Sequence, residues 1–189
     1  MPGFDTLLPF FLASVLLALA PGPDNFFVLS QSLLRGRGAG LTIMLGLCTG
    51  LVFHSLAVAL GLAAVVQASE GLFSAIKFLG AGYLGYLAWQ ALRATGEAAP
   101  LGETKPGDGR RLYLRGIFMN ITNPKVSLFF LAFLPQFADP ARGPLAPQML
   151  VLGGVFILAT VLVFGGIALL CGPAGRLLER SQRFQRILN

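Results

Sequence analysis

Apolar positions in this chain come in long unbroken blocks, without the two-residue alternation of a half-buried strand or the one-sided stripe of a surface helix. The first block runs from about Phe4 to Leu34 and is interrupted by Pro21-Gly22-Pro23-Asp24-Asn25. The second runs from about Gly38 to Gln67, the third from about Leu72 to Leu92, the fourth from about Tyr113 to Phe137 and the fifth from about Gln148 to Leu170. Between Arg37 and Glu70 the only ionisable side chains are His54 and Cys48, and between Arg142 and Arg176 only Cys171. A hydrocarbon layer of ~30 Å needs roughly 20 helical residues, so such stretches are long enough to cross a bilayer. The pattern predicts an all-α, polytopic transmembrane helix bundle with five evident spans.

The prolines and glycines refine this picture. Pro21 and Pro23 remove two amide donors around a flexible glycine, so the first block is expected to be a broken helix. The fourth carries Asn120, Asn123, Pro124 and Lys125 inside an otherwise apolar run and is expected to break as well. Gly46, Gly50 and Gly61 give the second block the small-residue pattern that lets membrane helices approach closely. The third contains Gly80, Gly82 and Gly85 and ends in Tyr83, Tyr86 and Trp89, which suit an interfacial belt. Residues 93–112 are polar and read as a cytoplasmic loop dividing a single transmembrane domain, 1–189, into a first half of about 1–92 and a second of about 113–189.

Composition agrees. Hydrophobic residues make up 55% of the 189 and charged residues 12%, against about 25% charged in ordinary soluble domains, and the mean hydropathy is +0.75. The net charge of +6 does not point to nucleic acid, because the basic residues sit in short runs between apolar blocks. Arg35 and Arg37 follow the first block, Arg93, Lys105, Arg110, Arg111 and Arg115 the third, and Arg176, Arg180, Arg183 and Arg186 the fifth, whereas the opposite side has Lys77 and Arg142. The positive-inside rule then predicts cytoplasmic basic loops and a periplasmic N-terminus in a bacterial inner membrane. Residues Met1 to Asp5 lack the positive region of a secretory signal, so the first block is expected to stay in the mature chain.

Two interrupted spans in corresponding positions of two halves are the strongest sequence pointer to a transporter site, because unwound backbone there meets the substrate near the midplane. Asp24 is the acidic residue set deep in an apolar block, where a carboxylate is costly. It reads either as a proton or substrate-amine site or as a cap on the following half-helix. Lys125 is its intramembrane counterpart, able to pair with Asp24, hold a substrate carboxylate or snorkel to the nearer interface. Asn25, Asn120 and Asn123 can satisfy backbone groups freed by the prolines or bind substrate. His54, the sole histidine, reads as a proton relay or an interhelical hydrogen-bonder. Cys48 and Cys171 have no metal-ligand spacing and read as packing residues. No nucleotide-binding loop, metal motif or nucleophile elbow occurs, so no cofactor, metal or enzymatic activity is expected, and energy would come from an ion gradient.

Ala20-Pro21-Gly22-Pro23-Asp24-Asn25 resembles the N-terminal signature of the LysE/RhtB amino-acid exporters. Gly46-x-x-x-Gly50, Gly80-x-Gly82-Tyr83-Leu84-x-Tyr86-Leu87, Gly116-x-x-x-Asn120-x-x-Asn123-Pro124-Lys125 and Leu134-Pro135-Gln136-Phe137 are similar to further family patterns, in the same order. The resemblance implies a proton-driven exporter of amino acids or their derivatives, built as two inverted three-helix halves, working by alternating access and forming a homodimer. It implies a site at Pro21, Gly22, Pro23, Asp24, Asn25, Asn123, Pro124 and Lys125. It also implies a sixth apolar helix, for which only Phe184, Ile187 and Leu188 remain, so the sixth span is expected to be absent. Two other readings are an intramembrane thiol/disulfide electron carrier, which needs cysteines beside the breaks, and a structural membrane subunit, which would tolerate Asp24→Asn.

Overall fold

The structure is a computed structural model that describes residues 1–68 and 108–179 and, between them, only positions 71, 74, 75, 78, 79, 81, 82, 85, 86, 89 and 93. The regular structure of the described residues is entirely helical. Most of the third block, including Lys77, Gly80 and Tyr83, lies outside them, as do residues 94–107 with Lys105 and residues 180–189 with Arg180, Arg183, Arg186 and Phe184, Ile187 and Leu188. Tyr86 and Trp89 are exposed, and Arg93 stacks over the Trp89 ring at 4.2 Å.

The first block forms α1 (Phe4–Leu19) and α2 (Pro23–Arg35), bent by 63° at the Pro-Gly-Pro break. Gly36, with φ 83, then turns the chain into α3 (Arg37–Ala68); the left-handed conformation is the one glycine adopts without a Cβ clash. The fourth block forms α4 (Gly109–Thr122) and α5 (Pro124–Leu128), continued by a π turn (Phe129–Phe133) and a 3-10 turn (Leu134–Phe137); the pair is bent by 51°. A 3-10 turn (Pro140–Arg142) leads to α6 (Leu145–Glu179). Helices α3 and α6 each contain a straight stretch long and apolar enough to cross a membrane, Arg37–Gly61 and Leu145–Gly172, and each bent pair is long and apolar enough to be one more span.

Helix boundaries extend past the predicted ones for local reasons. Helix α4 starts at Gly109, four residues inside the stretch expected to be loop, because Asp108 accepts the Arg111 amide at 3.1 Å and pairs with its side chain at 3.2 Å. A carboxylate at a helix N-terminus both satisfies a free amide and opposes the helix dipole. Helix α6 likewise begins three residues early. The adjoining loop is held by buried Gln148, whose amide donates to the Asp139 and Gly143 carbonyls at 2.8 and 2.9 Å and accepts the Asp139 amide at 3.0 Å.

Packing depends on small residues. A Cβ on Gly46 would meet the Tyr113 carbonyl and the Gly116 Cα, one on Gly116 would meet the Ile43 carbonyl at 2.6 Å, and one on Gly50 would meet the Asn120 side chain at 2.6 Å. Helices α3 and α4 therefore touch backbone to backbone, the arrangement that packs membrane helices in the absence of a hydrophobic drive between them. Helix α6 closes on α3 the same way, with Gly153 against Ser55 and Gly172 against the Arg37 backbone. Gly61, grouped with Gly46 and Gly50 by sequence, has nothing within 4 Å. Outward faces carry Phe4, Leu8, Leu12 and Leu16 on α1 and Leu158, Leu162 and Leu169 on α6, all exposed. Apolar surface on this scale is incompatible with water and matches lipid chains.

The buried core divides into two clusters. One centres on Phe10, Leu51, Phe129, Phe130, Leu134, Leu152 and Phe156, the other on Phe27, Val28, Ile43, Leu47, Leu112, Phe164 and Ala168. Beyond the first cluster lies the end where the Met1 ammonium donates to the Arg142 carbonyl at 2.7 Å and Arg142 pairs with Asp5 at 3.0 Å. Beyond the second lies the end carrying Arg35, Arg37, Arg110 and Arg111, with Arg115 stacked over Phe27 at 4.6 Å. The two helix breaks fall between the clusters, level with Gly50.

Replacing Gly116 by Leu is expected to force α3 and α4 apart and destabilise the bundle by about 1–3 kcal/mol or more, the usual cost of overpacking. Gly154→Ala, in open space on α6, is expected to be neutral. Thermal unfolding of the purified variants in detergent reads the difference.

Candidate functional site at the two helix breaks

Both breaks are built alike. Gly22 and Asn123 are the extended N-cap residues of α2 and α5, and each precedes a proline at the first helical position, Pro23 or Pro124. A residue before proline is pushed out of the helical region, and proline costs nothing at a position whose amide is free anyway. Pro21 sits in the first break itself. The second residue of each new half-helix is charged, Asp24 in one and Lys125 in the other.

Each charged residue reaches the other break. Asp24, 3% exposed, accepts a hydrogen bond on Oδ2 from the Asn123 side-chain amide at 2.9 Å. The Lys125 ammonium donates to the Ala20 and Leu17 carbonyls at 3.0 and 3.2 Å and lies against Gly22, where a Cβ would stand 3.1 Å from Nζ. These carbonyls end α1 and have no intrahelical donor, and a cation there also opposes the negative end of the helix dipole. Asn25 finishes the same terminus by donating to the Ala18 carbonyl at 2.7 Å. Asn123 uses its own oxygen to cap α5, accepting the Lys125 amide at 3.0 Å.

Of the roles open to Lys125 in the sequence, the direct Asp24 ion pair is absent from the ion pairs among the described residues, and the ammonium points into the first break instead of toward an interface. Nor does Asp24 cap α2 among the described residues: its one accepted hydrogen bond comes from Asn123, and the Phe26 amide donates to the Gly22 carbonyl. The Asp24 carboxylate thus has Oδ2 held and Oδ1 buried without a donor among the described residues, and the same holds for Oδ1 of Asn25 and Asn120. All three are acceptors, and a group that would satisfy them must be a donor.

His54 on α3 lies beside the second break. Its Nε2 is 3.3 Å from the Asn120 carbonyl and its ring is 5.5 Å from Phe130. The same Asn120 carbonyl accepts the Asn123 amide at 3.1 Å, and the Asn123 side chain donates to Asp24, so His54 is linked to Asp24 through the body of Asn123 and not through a relay of side-chain protons. Between the breaks and the Met1 end stands an aromatic stack in which Phe129 lies 4.8 Å from both Phe133 and Phe156, and Phe10 5.1 Å from Phe137. Three of these, Phe129, Phe133 and Phe137, come from the π and 3-10 turns after α5, and no sequence signal announced that irregular winding. Cys48 is partly buried on α3, and Cys171 adjoins Gly172, which packs on Arg37. Since Arg37 is eleven residues from Cys48, about 16 Å along a helix, the two thiols are far apart: Cys48 is within a turn of Gly50, near the level of the breaks, and Cys171 is toward the basic end.

Such an architecture, apolar helices with two bent spans meeting at buried polar breaks, defines a multi-pass membrane protein of the broken-helix type. Residues 15–189 match the family model described as LysE type translocator, and the chain belongs to that family. It is 38% identical over 170 residues to a homoserine/homoserine lactone efflux protein of Salmonella typhi, covering 88% of this chain and 81% of that one. It is 34% identical over 157 residues to a leucine efflux protein of Salmonella choleraesuis, covering 81% and 70%. An uncharacterized membrane protein of Vibrio cholerae is 34% identical over 183 residues, covering 95% and 87%. No solved structure matches the chain.

Removing the Asn123 amide should strand a buried carboxylate. Asn123→Ala is expected to lower stability by about 1–3 kcal/mol, and Asp24→Asn in the same chain to recover part of that loss. A double-mutant cycle by thermal unfolding, with a coupling of about 0.5–3 kcal/mol, would measure the contact between the breaks.

Proposed function

We propose that this protein exports amino acids or closely related derivatives across the bacterial inner membrane, by proton antiport with alternating access. The Asp24 carboxylate carries the reading: one oxygen is fixed by Asn123 and the other is buried without a donor among the described residues. A carboxylate at membrane depth is stable when a proton or a cation accompanies it. Proton and substrate ammonium are therefore alternative partners for one site, and that exclusivity is what exchange requires. Asn25 and Asn120 add acceptors for the ammonium. Lys125 and the free amides at the start of α2 face a substrate carboxylate.

The names of the relatives favour amino-acid substrates, since homoserine and leucine share the ammonium and differ in the side chain. Alternation would use the two bent spans as moving parts. Shifting one against the other separates Asn123 from Asp24 and Lys125 from Ala20, and opens the breaks toward one end at a time. In this reading the end with Arg35, Arg37 and Arg115 is cytoplasmic, the end with Met1 and Arg142 is periplasmic, and the working unit is a homodimer. His54 is a candidate for moving the proton, from its place beside Asn120.

Inside-out membrane vesicles holding the protein, given an acid interior, are expected to accumulate labelled L-homoserine or L-leucine, and Asp24→Asn to reduce accumulation at least tenfold with normal protein levels. Wild-type accumulation by Asp24→Asn would sink the assignment of Asp24.

A further inference from the structure

Gln31 carries the fourth buried acceptor atom left unmet among the described residues. It is 3% exposed, and its Oε1 accepts no hydrogen bond among the described residues. An amide left so in a membrane bundle carries a cost comparable to a lost hydrogen bond, and an unsatisfied buried acceptor calls for a donor that supplies the missing bond. Gln31 follows Asp24 by seven residues on α2. That separation is about two turns, so both project from one face of the helix. The buried residues of α2 are Asp24, Phe27, Val28, Gln31 and Ser32.

Position gives the amide a direction. Gln31 lies between Asp24 and the Arg35 end of α2, where Phe27 carries the Arg115 guanidinium on its ring. Toward the Met1 end, by contrast, the breaks are covered by the aromatic stack of Phe10, Phe129, Phe133 and Phe137. The unmet acceptors thus continue from the breaks toward the basic end, where a side-chain oxygen offers an approaching cation its first hydrogen bond.

We propose that Gln31 is a substrate-contacting residue on the route between the basic end and Asp24, its Oε1 accepting from the ammonium group of the exported molecule before Asp24 does. The inference rests on the export reading above. Gln31 should then affect apparent affinity more than turnover, because Asp24, not Gln31, exchanges substrate for a proton.

The test uses the full chain in proteoliposomes with labelled L-homoserine and L-leucine. Gln31→Leu, which keeps size and removes the acceptor, is expected to raise KM about tenfold, the worth of a hydrogen bond to a charged group, with kcat within about twofold. Gln31→Glu should keep KM near or below that of the wild type. In a Cys48→Ala, Cys171→Ala background, Gln31→Cys should react with a membrane-impermeant cationic thiol reagent added at the basic end, and either amino acid should slow that reaction. Unchanged KM in Gln31→Leu, or a Cys that is unreactive from the basic end or not protected by amino acid, would overturn the proposal. If Asp24→Asn abolishes uptake while Gln31→Leu is silent, only the role of Gln31 fails; if Asp24→Asn exports normally, the site itself has been misassigned.

Discussion

Two helices broken in the middle of a membrane leave backbone amides and carbonyls without partners in a medium that supplies none, and the rest of this bundle is arranged around that problem. The solution is reciprocal. Asn123 at the second break donates to Asp24 at the first, and Lys125 from the second break caps the carbonyls that end α1 at the first. Neither break is satisfied alone, so α1 and α2 cannot move relative to α4 and α5 without exposing polar groups to lipid or admitting something that replaces the lost bonds. Irregular backbone at membrane depth is tolerated where protein buries it, and here Asp24, Asn120 and Asn123 are all buried.

Close helix packing follows from the same constraint. The breaks can meet because α4 lies backbone to backbone on α3, which Gly46, Gly50 and Gly116 permit. Gly50 has a double role, since its missing side chain is the space that the Asn120 amide fills. A bulky residue at this level would push away the helix that carries Asn120 and Asn123, and with it the hydrogen bond to Asp24. The small-residue face and the polar breaks are therefore one device, with the packing setting the depth at which the polar groups meet.

Much of this was legible in the sequence. Long apolar blocks gave the helices, prolines gave the breaks, and Asp24, Asn123 and Lys125 stood out because polar side chains are scarce in such blocks. Their partners were harder to read. Lys125 binds backbone carbonyls of Leu17 and Ala20, and a sequence does not advertise which carbonyl a break will free. Gln31 does not stand out in the sequence because it sits between Ser30 and Ser32, where a polar residue looks ordinary; its spacing of seven residues from Asp24 is the available signal. The π and 3-10 turns from Phe129 to Phe137 were hidden as well, since their sequence, FFLAFLPQF, carries the apolar pattern of a regular helix until Pro135.

Those irregular turns bear on how the breaks reach solvent. Phe129, Phe130 and Phe133 hang from a π turn, whose hydrogen bonds are shifted by one residue from those of an α-helix. Returning that turn to α geometry would rotate the following residues by most of 100° and withdraw Phe133 and Phe137 from Phe10, whereas the opposite end of the site is bounded by α2, a regular helix. The two sides of the breaks are thus unequal in kind: one is closed by side chains on irregularly wound turns, the other by a regular helix whose Gln31 Oε1 has no donor among the described residues. Rewinding the π turn would leave the bond from Asn123 to Asp24 intact, because both residues precede that turn in the chain, whereas moving α2 as a body would break it. The bond from Asn123 to Asp24 therefore ties α2, and not the turns after α5, to the second break.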